Sequence, residues 1–257
     1  MTSRRIVLKS PREIALMREA GRIAALALRE TARAAEPGVT TADLDRVAEA
    51  AIRARGGIPS FKGLYGFPAS ICSSLNDEIV HGVPSKNRTI RSGDLVKIDL
   101  GVSVEGYHAD TALTVGVGAI SPAARQLIEV TEGALWAGIH ACCAGRRVRD
   151  ISAAIESYIV RHGNYGIVRR YVGHGIGREF HEPPQVPNYV DPQHPVMTVL
   201  RPGLVLAIEP MVNAGSGETT QRPGDRWTVY TADGSLSAHF EHTVAITAGD
   251  PEVLTHP

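Results

Sequence analysis

Two aspartates fall on either side of a tight turn, in Lys97-Ile98-Asp99-Leu100-Gly101 and Glu105-Gly106-Tyr107-His108-Ala109-Asp110. If Glu105-Gly106 is a two-residue hairpin turn, Val104 pairs with Tyr107 and Asp99 lies opposite Ala112. Asp110, two residues from Ala112, then shares a face with Asp99, and the two acids are diagonal neighbours about 7–8 Å apart. Carboxylates that close repel unless a proton or a cation lies between them. Two readings fit this segment alone: solvated acids on an edge hairpin, or a pair that holds a cation.

The elements around the pair separate these readings. Ser10-Pro11-Arg12-Glu13 has the form of a helix start, with a cap, a proline and a glutamate three residues after the cap. A helix is expected from about Pro11 to Ala35, stopping at Pro37-Gly38. A second starts near Thr41, buries Leu44, Val47, Ala48, Ala51 and Ile52, and ends at Gly56-Gly57. Strands are expected over Ala69–Leu75, Leu95–Gly101 and Tyr107–Val115. The pattern then starts again. Ser121-Pro122 opens another helix, and Gly145 to Gly163 resembles Gly38 to Gly56. Within that match, Asp150, Ile151 and Ile159 stand where Asp43, Leu44 and Ile52 do. Arg201-Pro202-Gly203 through Ile208-Glu209 resembles Arg91-Ser92-Gly93 through Ile98-Asp99. The offsets are 107 and 110 residues, an internal period that implies two similar halves, roughly 10–117 and 118–248, in one catalytic domain spanning 1–257. About a pseudo-twofold axis, Asp99 and Glu209 approach each other. A return strand in each half follows, carrying Asp110 in the first and, over Leu236–Ile246, Glu241 in the second.

Asp99, Asp110, Glu209 and Glu241 are thus candidates for one centre. Four anions cannot stay ionised together in a low-dielectric site without compensation, and divalent cations supply it. A nitrogen ligand is at hand in Gly173-His174-Gly175-Ile176-Gly177-Arg178-Glu179-Phe180-His181-Glu182. Glycines there let the backbone come close or take positive φ. His174 is expected at the end of a strand over Ile167–Val172, His181 in a loop before Pro183-Pro184, and His81 at another strand end before Gly82-Val83-Pro84. Lone histidines are more often structural or solvated, and His108, His140, His162, His194, His239, His242 and His256 are read so.

Composition narrows the classes. The 257 residues are 43% hydrophobic and 21% charged, as in a globular protein with a sizeable core. A formal net charge of zero implies no general attraction to nucleic acid or anionic membrane. No apolar run is long enough to span a bilayer, and Met1–Lys9 lacks the apolar core of a signal peptide. Three cysteines, two of them adjacent, form no disulfide framework and fit a reducing cytoplasm.

In combination these motifs resemble the methionine aminopeptidases of the bacterial type I form, from about Ser10 to Thr247. The matching segments are Asn76-Asp77-Glu78-Ile79-Val80-His81-Gly82-Val83-Pro84, Ile98-Asp99 with His108-Ala109-Asp110-Thr111, Gly173 to Gly177 with His181-Glu182-Pro183-Pro184, Ile208-Glu209-Pro210-Met211, and Glu241-His242-Thr243. The resemblance implies an α+β, duplicated pita-bread fold, with a central curved antiparallel sheet flanked by helices. It implies removal of the N-terminal methionine, before a small second residue, through a water activated by two divalent ions (Co²⁺, Mn²⁺, Fe²⁺ or Zn²⁺). Asp99, Asp110, His174, Glu209 and Glu241 would be the ligands, with Glu209 also the proton shuttle. His81 and His181 would meet the substrate at the scissile bond, and the substrate's α-amine would dock at the site that holds Asp99. Family positions lining the methionine pocket fall on Leu64, Phe67, Cys72, Phe180 and Trp227. Leu64 stands where many relatives carry an aromatic, and Phe67, Phe180 and Trp227 also read as ordinary core.

The expected partners are the N-terminal Met of nascent polypeptides and, transiently, the ribosome; no nucleic acid or membrane partner is expected, and the chain should be a monomer. Prolidase and aminopeptidase P share the metal centre, but usually carry a domain before the catalytic half, and only 98 residues precede Asp99. Type II methionine aminopeptidases carry a helical insertion for which the 28 residues from His181 to Glu209 leave no room. A non-catalytic binding protein on the same scaffold would have no need of five ligands and two poised histidines.

Overall fold

The computed structural model describes residues 5–256, so the first four residues of the Met1–Lys9 segment lie outside them. Helix α1 (Pro11–Arg33) begins as its sequence requires: Ser10 Oγ accepts from Glu13 N–H while Ser10 N–H donates to Glu13 Oε2 at 2.7 Å. Helix α2 (Thr41–Ala54) repeats the device with Thr40 and Asp43. It buries Leu44, Ala48, Ala51 and Ile52 as expected, but Val47 is only half-buried because it lies at the edge of that face. Helices α3 (Pro122–His140) and α4 (Val148–His162) follow, and Ser121 caps α3 through Ala124 N–H.

The helices rest on a nine-stranded antiparallel sheet. Along it run Ile58–Pro59, Leu95–Val104, Tyr107–Gly116, Glu241–Ala245, Val205–Ile208, Gly173–Gly175 and Glu182–Val186. Cys72–Leu75 adds to the side of Leu95–Val104, and Glu252–Val253 to Glu241–Ala245. Side chains alternate across a strand. Ile98, Leu100 and Val102 therefore pack with Ile23, Ala24, Leu44 and Ile52 of α1 and α2. Leu206, Ile208 and Val244 pack with Leu127, Leu135, Ile151 and Ile155 of α3 and α4. The intervening residues point the other way, to the site.

The central hairpin has the expected register. Val104 pairs with Tyr107, and Asp99 with Ala112. Glu105 and Gly106 take φ of 49° and 77°, the paired left-handed conformation of a two-residue turn matched to strand twist. Its strands run longer than expected: to Val104, because the tight turn leaves no residue unpaired, and to Gly116, which pairs with Leu95 at the far end.

Three other expected strands differ. The first is confined to Cys72–Leu75; the N–H groups of Ser70 and Ile71 go instead to Asp45 Oδ1, at 2.8 and 3.1 Å. The Leu236–Ile246 strand is broken into Ser237–His239 and Glu241–Ala245, which belong to different sheets. Its neighbour breaks too, at Glu209-Pro210, where proline has no N–H for a ladder. Ile167–Val172 is strand only at its start, in Gly166–Ile167, and the chain resumes strand at Gly173–Gly175. His174 thus sits in the middle of a short strand, not at the end of a longer one.

Two three-stranded sheets complete the fold. Met211–Asn213 lies between Ser237–His239 and Gly166–Ile167, and Val229–Thr231 between Thr219–Thr220 and Glu78–Val80. Among the described residues, no helix is long and apolar enough to cross a membrane.

Candidate metal centre and side-chain pocket

Two rows of residues cross the sheet on the face away from the helices. In one, Cys72 is opposite Asp99, Asp99 opposite Ala112, and Ala112 opposite Glu241. In the other, Gly101 is opposite Asp110, and His174 is opposite Ala207, itself opposite Thr243. Asp110 joins Thr243 by hydrogen bonds of 2.8 Å in both directions. Residues directly opposite in a sheet share a face, so Asp99, Asp110, Glu241 and His174 converge. Glu209, two residues past Ala207, extends the set. One ligand atom each from Asp110, His174 and Glu241 lie within 4.8 Å of one another.

The flanking glycines of His174 are needed for closeness alone. A Cβ on Gly173 would stand 2.5 Å from Ala207 O, and one on Gly175 2.3 Å from Pro183 O. Neither glycine takes a positive φ, so of the two reasons expected for them only close approach holds.

The electrostatics suit a cation. Asp99 Oδ1, Asp110 Oδ1 and Glu241 Oε1 are buried without a hydrogen-bond partner, an arrangement that is costly unless something charged meets them. Burial, with repulsion from Asp110 and Glu209, pushes Asp99 far above the usual carboxylate range. Burial first, and Asp110 next, do the same to Glu209 and Glu241. Burial also lifts Asp110 to about 7. A proton or a cation among them would relieve that repulsion.

His174 is prepared to be a ligand. Its Nδ1 lies 2.8 Å from Gly175 O; a carbonyl only accepts, so Nδ1 carries the hydrogen and Nε2 presents its lone pair. Nε2 stands 3.8 Å from Glu209 Oε1 and 3.9 Å from Asp110 Oδ2. Burial holds the ring's pKa down to about 3, so it is neutral, as a ligand must be.

All of these side chains line one cavity of about 280 Å³. Phe67, Cys72 and Phe180 are buried in its wall, with Leu64 and Trp227 half-buried beside them. Phe67 meets Trp227 edge to face at 5.1 Å between centroids. Burial and the nearby acids raise the Cys72 thiol well above its ordinary value, so it stays protonated and acts as a small polarizable wall. His81 follows the strand Glu78–Val80, with φ of 61°. Burial lowers its pKa to about 4. His181 is exposed at the mouth, 4.4 Å from the His174 ring, and partial burial of its ring lowers its pKa too.

Every residue expected at the site therefore lines this cavity. The sequence reading missed Phe61, Tyr65 and Tyr171, which line it as well. Tyr65 stacks on His181 at 5.8 Å, and its hydroxyl lies 3.3 Å from His181 Nδ1. Of the two expectations for His239, structural or solvated, the structure excludes the second. The residue is buried, 1% exposed, with neither ring nitrogen partnered, and Nε2 faces Glu209 and Glu241 at 3.9 and 4.0 Å. The period-2 alternation of strands, applied from Glu241, was the signal that would have found it.

The model of metallopeptidase family M24 matches residues 15–248. The chain is 50% identical to a methionine aminopeptidase of Clostridium acetobutylicum over 97% of its length and 98% of that protein. A crystal structure of methionine aminopeptidase from Thermotoga maritima superposes with a TM-score of 0.94 at 40% identity, covering 98% of this chain and all of that one. An Xaa-Pro dipeptidase from Bacillus anthracis shares the fold at a TM-score of 0.75 and 26% identity, and the chain spans 62% of its length.

Proposed function

The chain belongs to metallopeptidase family M24, with the sequence and fold of a bacterial type I methionine aminopeptidase, and we propose that it hydrolyses the first peptide bond of chains that begin with methionine and carry a small second residue. One observation carries this reading: a single cavity joins a cluster of unpartnered buried carboxylates to a closed apolar wall. At about 280 Å³ it falls just below the roughly 300–1,000 Å³ of pockets for drug-sized ligands, a size for one side chain and one peptide bond.

Asp99, Asp110, His174, Glu209 and Glu241 are the proposed ligands of two divalent ions. Mn²⁺, Fe²⁺, Co²⁺ and Zn²⁺ all suit an oxygen-rich site with one imidazole. Such ions, when bound, polarise a carbonyl and lower the pKa of water. Asp99 receives the free α-amine, which an internal peptide lacks; this limits action to the terminus. Leu64, Phe67, Cys72, Phe180 and Trp227 enclose the methionine side chain. Glu209 takes a proton from the attacking water and returns it to the leaving amine. His81 hydrogen-bonds the leaving nitrogen before that proton arrives, and His181 hydrogen-bonds the carbonyl oxygen as it gains charge. Acting on nascent chains, the protein would work in the cytoplasm as a monomer, with transient ribosome contact.

Incubation with Met-Ala-Ser and Met-Lys-Ser and added Mn²⁺ or Co²⁺ tests the reading. Release of methionine from the first peptide only is the expected result. Cleavage of an Xaa-Pro peptide instead would assign a prolidase or aminopeptidase P activity, and no cleavage with any divalent metal would sink the hydrolase reading.

A further inference from the structure

His239 ends the short strand Ser237–His239, and Glu241 starts the next. Between them Phe240 N–H reaches Pro210 O at 3.4 Å, opposite the break that follows Glu209. The two kinks carry His239, Glu241 and Glu209 to one point. Backbone contacts fix the histidine: its N–H donates to Thr114 Oγ1 at 2.9 Å, and its carbonyl accepts from the same hydroxyl at 2.7 Å. The ring cannot swing to solvent, since only 1% of the residue is exposed. Nε2 is nearly equidistant from Glu209 Oε2, at 3.9 Å, and Glu241 Oε2, at 4.0 Å. Both gaps exceed a hydrogen bond by about 1 Å; a small rotation of either carboxylate closes one. Hydrogen bonds at catalytic sites are often long until the full complex forms.

We propose that His239 is a positioning residue: its Nε2–H holds the carboxylates of Glu209 and Glu241 in the orientation that binds metal, an inference that rests on the metallopeptidase reading of the same cavity. Carboxylate ligands need such donors behind them. An oxygen that accepts from a fixed N–H has its lone pairs directed, and its rotation is stopped. A neutral imidazole suits the role because it directs the anions without cancelling their charge.

The test compares His239→Phe, which keeps a flat ring without a donor, and His239→Gln, which keeps an N–H near the same place. Mn²⁺ affinity is measured by calorimetry on metal-stripped protein, and kcat and KM for Met-Ala-Ser separately. Loss of an outer partner of a metal ligand costs about 10–100-fold in affinity or activity, so His239→Phe should weaken Mn²⁺ binding and kcat by that much, with KM little changed. His239→Gln should recover most of both. Should the phenylalanine variant fail to fold, His239→Ala replaces it, and the comparison with glutamine stands. Unchanged Mn²⁺ affinity and kcat in the donor-free variant would overturn the proposal. So would pulsed EPR of bound Mn²⁺ that counts two coordinated imidazole nitrogens, since His239 would then be a ligand. If wild type binds Mn²⁺ yet releases no methionine, the hydrolase reading fails while the affinity comparison still decides His239.

Discussion

Glu209 differs from the other carboxylates of the cluster in its exposure to the cavity. Asp99, Asp110 and Glu241 are buried, whereas Glu209 is half-buried at the end of its strand. In the proposed mechanism that position lets it meet both metal and water. Glu209→Gln keeps the shape but loses the base, and should lower kcat by roughly 10²–10⁴-fold, with little change in the melting temperature of the metal-free protein. Near-normal turnover would remove Glu209 from the shuttle role. His81 sits apart from the carboxylates, beside Tyr171 at 5.6 Å between rings, and with its pKa at about 4 it enters as a neutral donor. His81→Ala should slow Met release while calorimetry finds Mn²⁺ binding unchanged; a lost binding event would make it a ligand.

At the scale of elements, register decides which side chains can meet. Asp99 and Asp110 share a face only because the turn at Glu105-Gly106 has two residues and pairs Asp99 with Ala112. One inserted residue there shifts the pairing by one, and a slip of one turns side chains to the other face. Such a variant should bind fewer equivalents of Mn²⁺ per chain than wild type, as counted by calorimetry or elemental analysis, and should show no turnover. Retention of full stoichiometry would mean that the hairpin does not set the pair. The Gly173–Gly175 strand is placed by close backbone contact with Ala207 and Pro183. The Glu182 carboxylate that follows is held by Lys9 at 2.6 Å, which ties the start of the chain to the loop carrying His181.

For the whole molecule the main question is what keeps four acids together between two helix-backed halves. In the metal-free fold, protons do. Asp110 is raised from 3.8 to about 7, so between those values the folded chain holds a proton that the unfolded chain has lost. Its contribution to stability is complete below about pH 4 and is lost as pH rises through 7. Asp99, Glu209 and Glu241 are raised by the same burial and act in the same direction. Metal replaces these protons. His174, neutral throughout this range with its pKa at about 3, binds metal without losing one. The melting temperature gained on adding Mn²⁺ should therefore grow from pH 6 to pH 8. A gain that shrinks over that range would contradict the ligand set.

Much of this was legible in the chain. Capping boxes, the hairpin turn and the spacing of Asp99 and Asp110 follow from local rules: which side chains bond the first turn of a helix, which residues accept left-handed φ, and how strands alternate. The internal repeat added Glu209 and Glu241, the glycine-flanked histidines followed from their place at the strands, and family motifs marked Leu64, Phe67, Cys72, Phe180 and Trp227. Tertiary structure alone decided the rest. It cut the strand before Cys72 short because Asp45 takes the N–H groups of Ser70 and Ile71. It broke the strand at Phe240 because the neighbouring strand ends at Pro210. It also turned His239 from a histidine expected to be structural or solvated into a buried ring facing two carboxylates. Asp45 and Pro210, more than 20 residues away, made the first two of these choices, and local sequence carries no record of a partner that far along the chain; for His239 only the approach to Glu209 is of that kind. The residue types and their spacing determined the chemistry; the packing of two halves against each other determined which groups stand behind it.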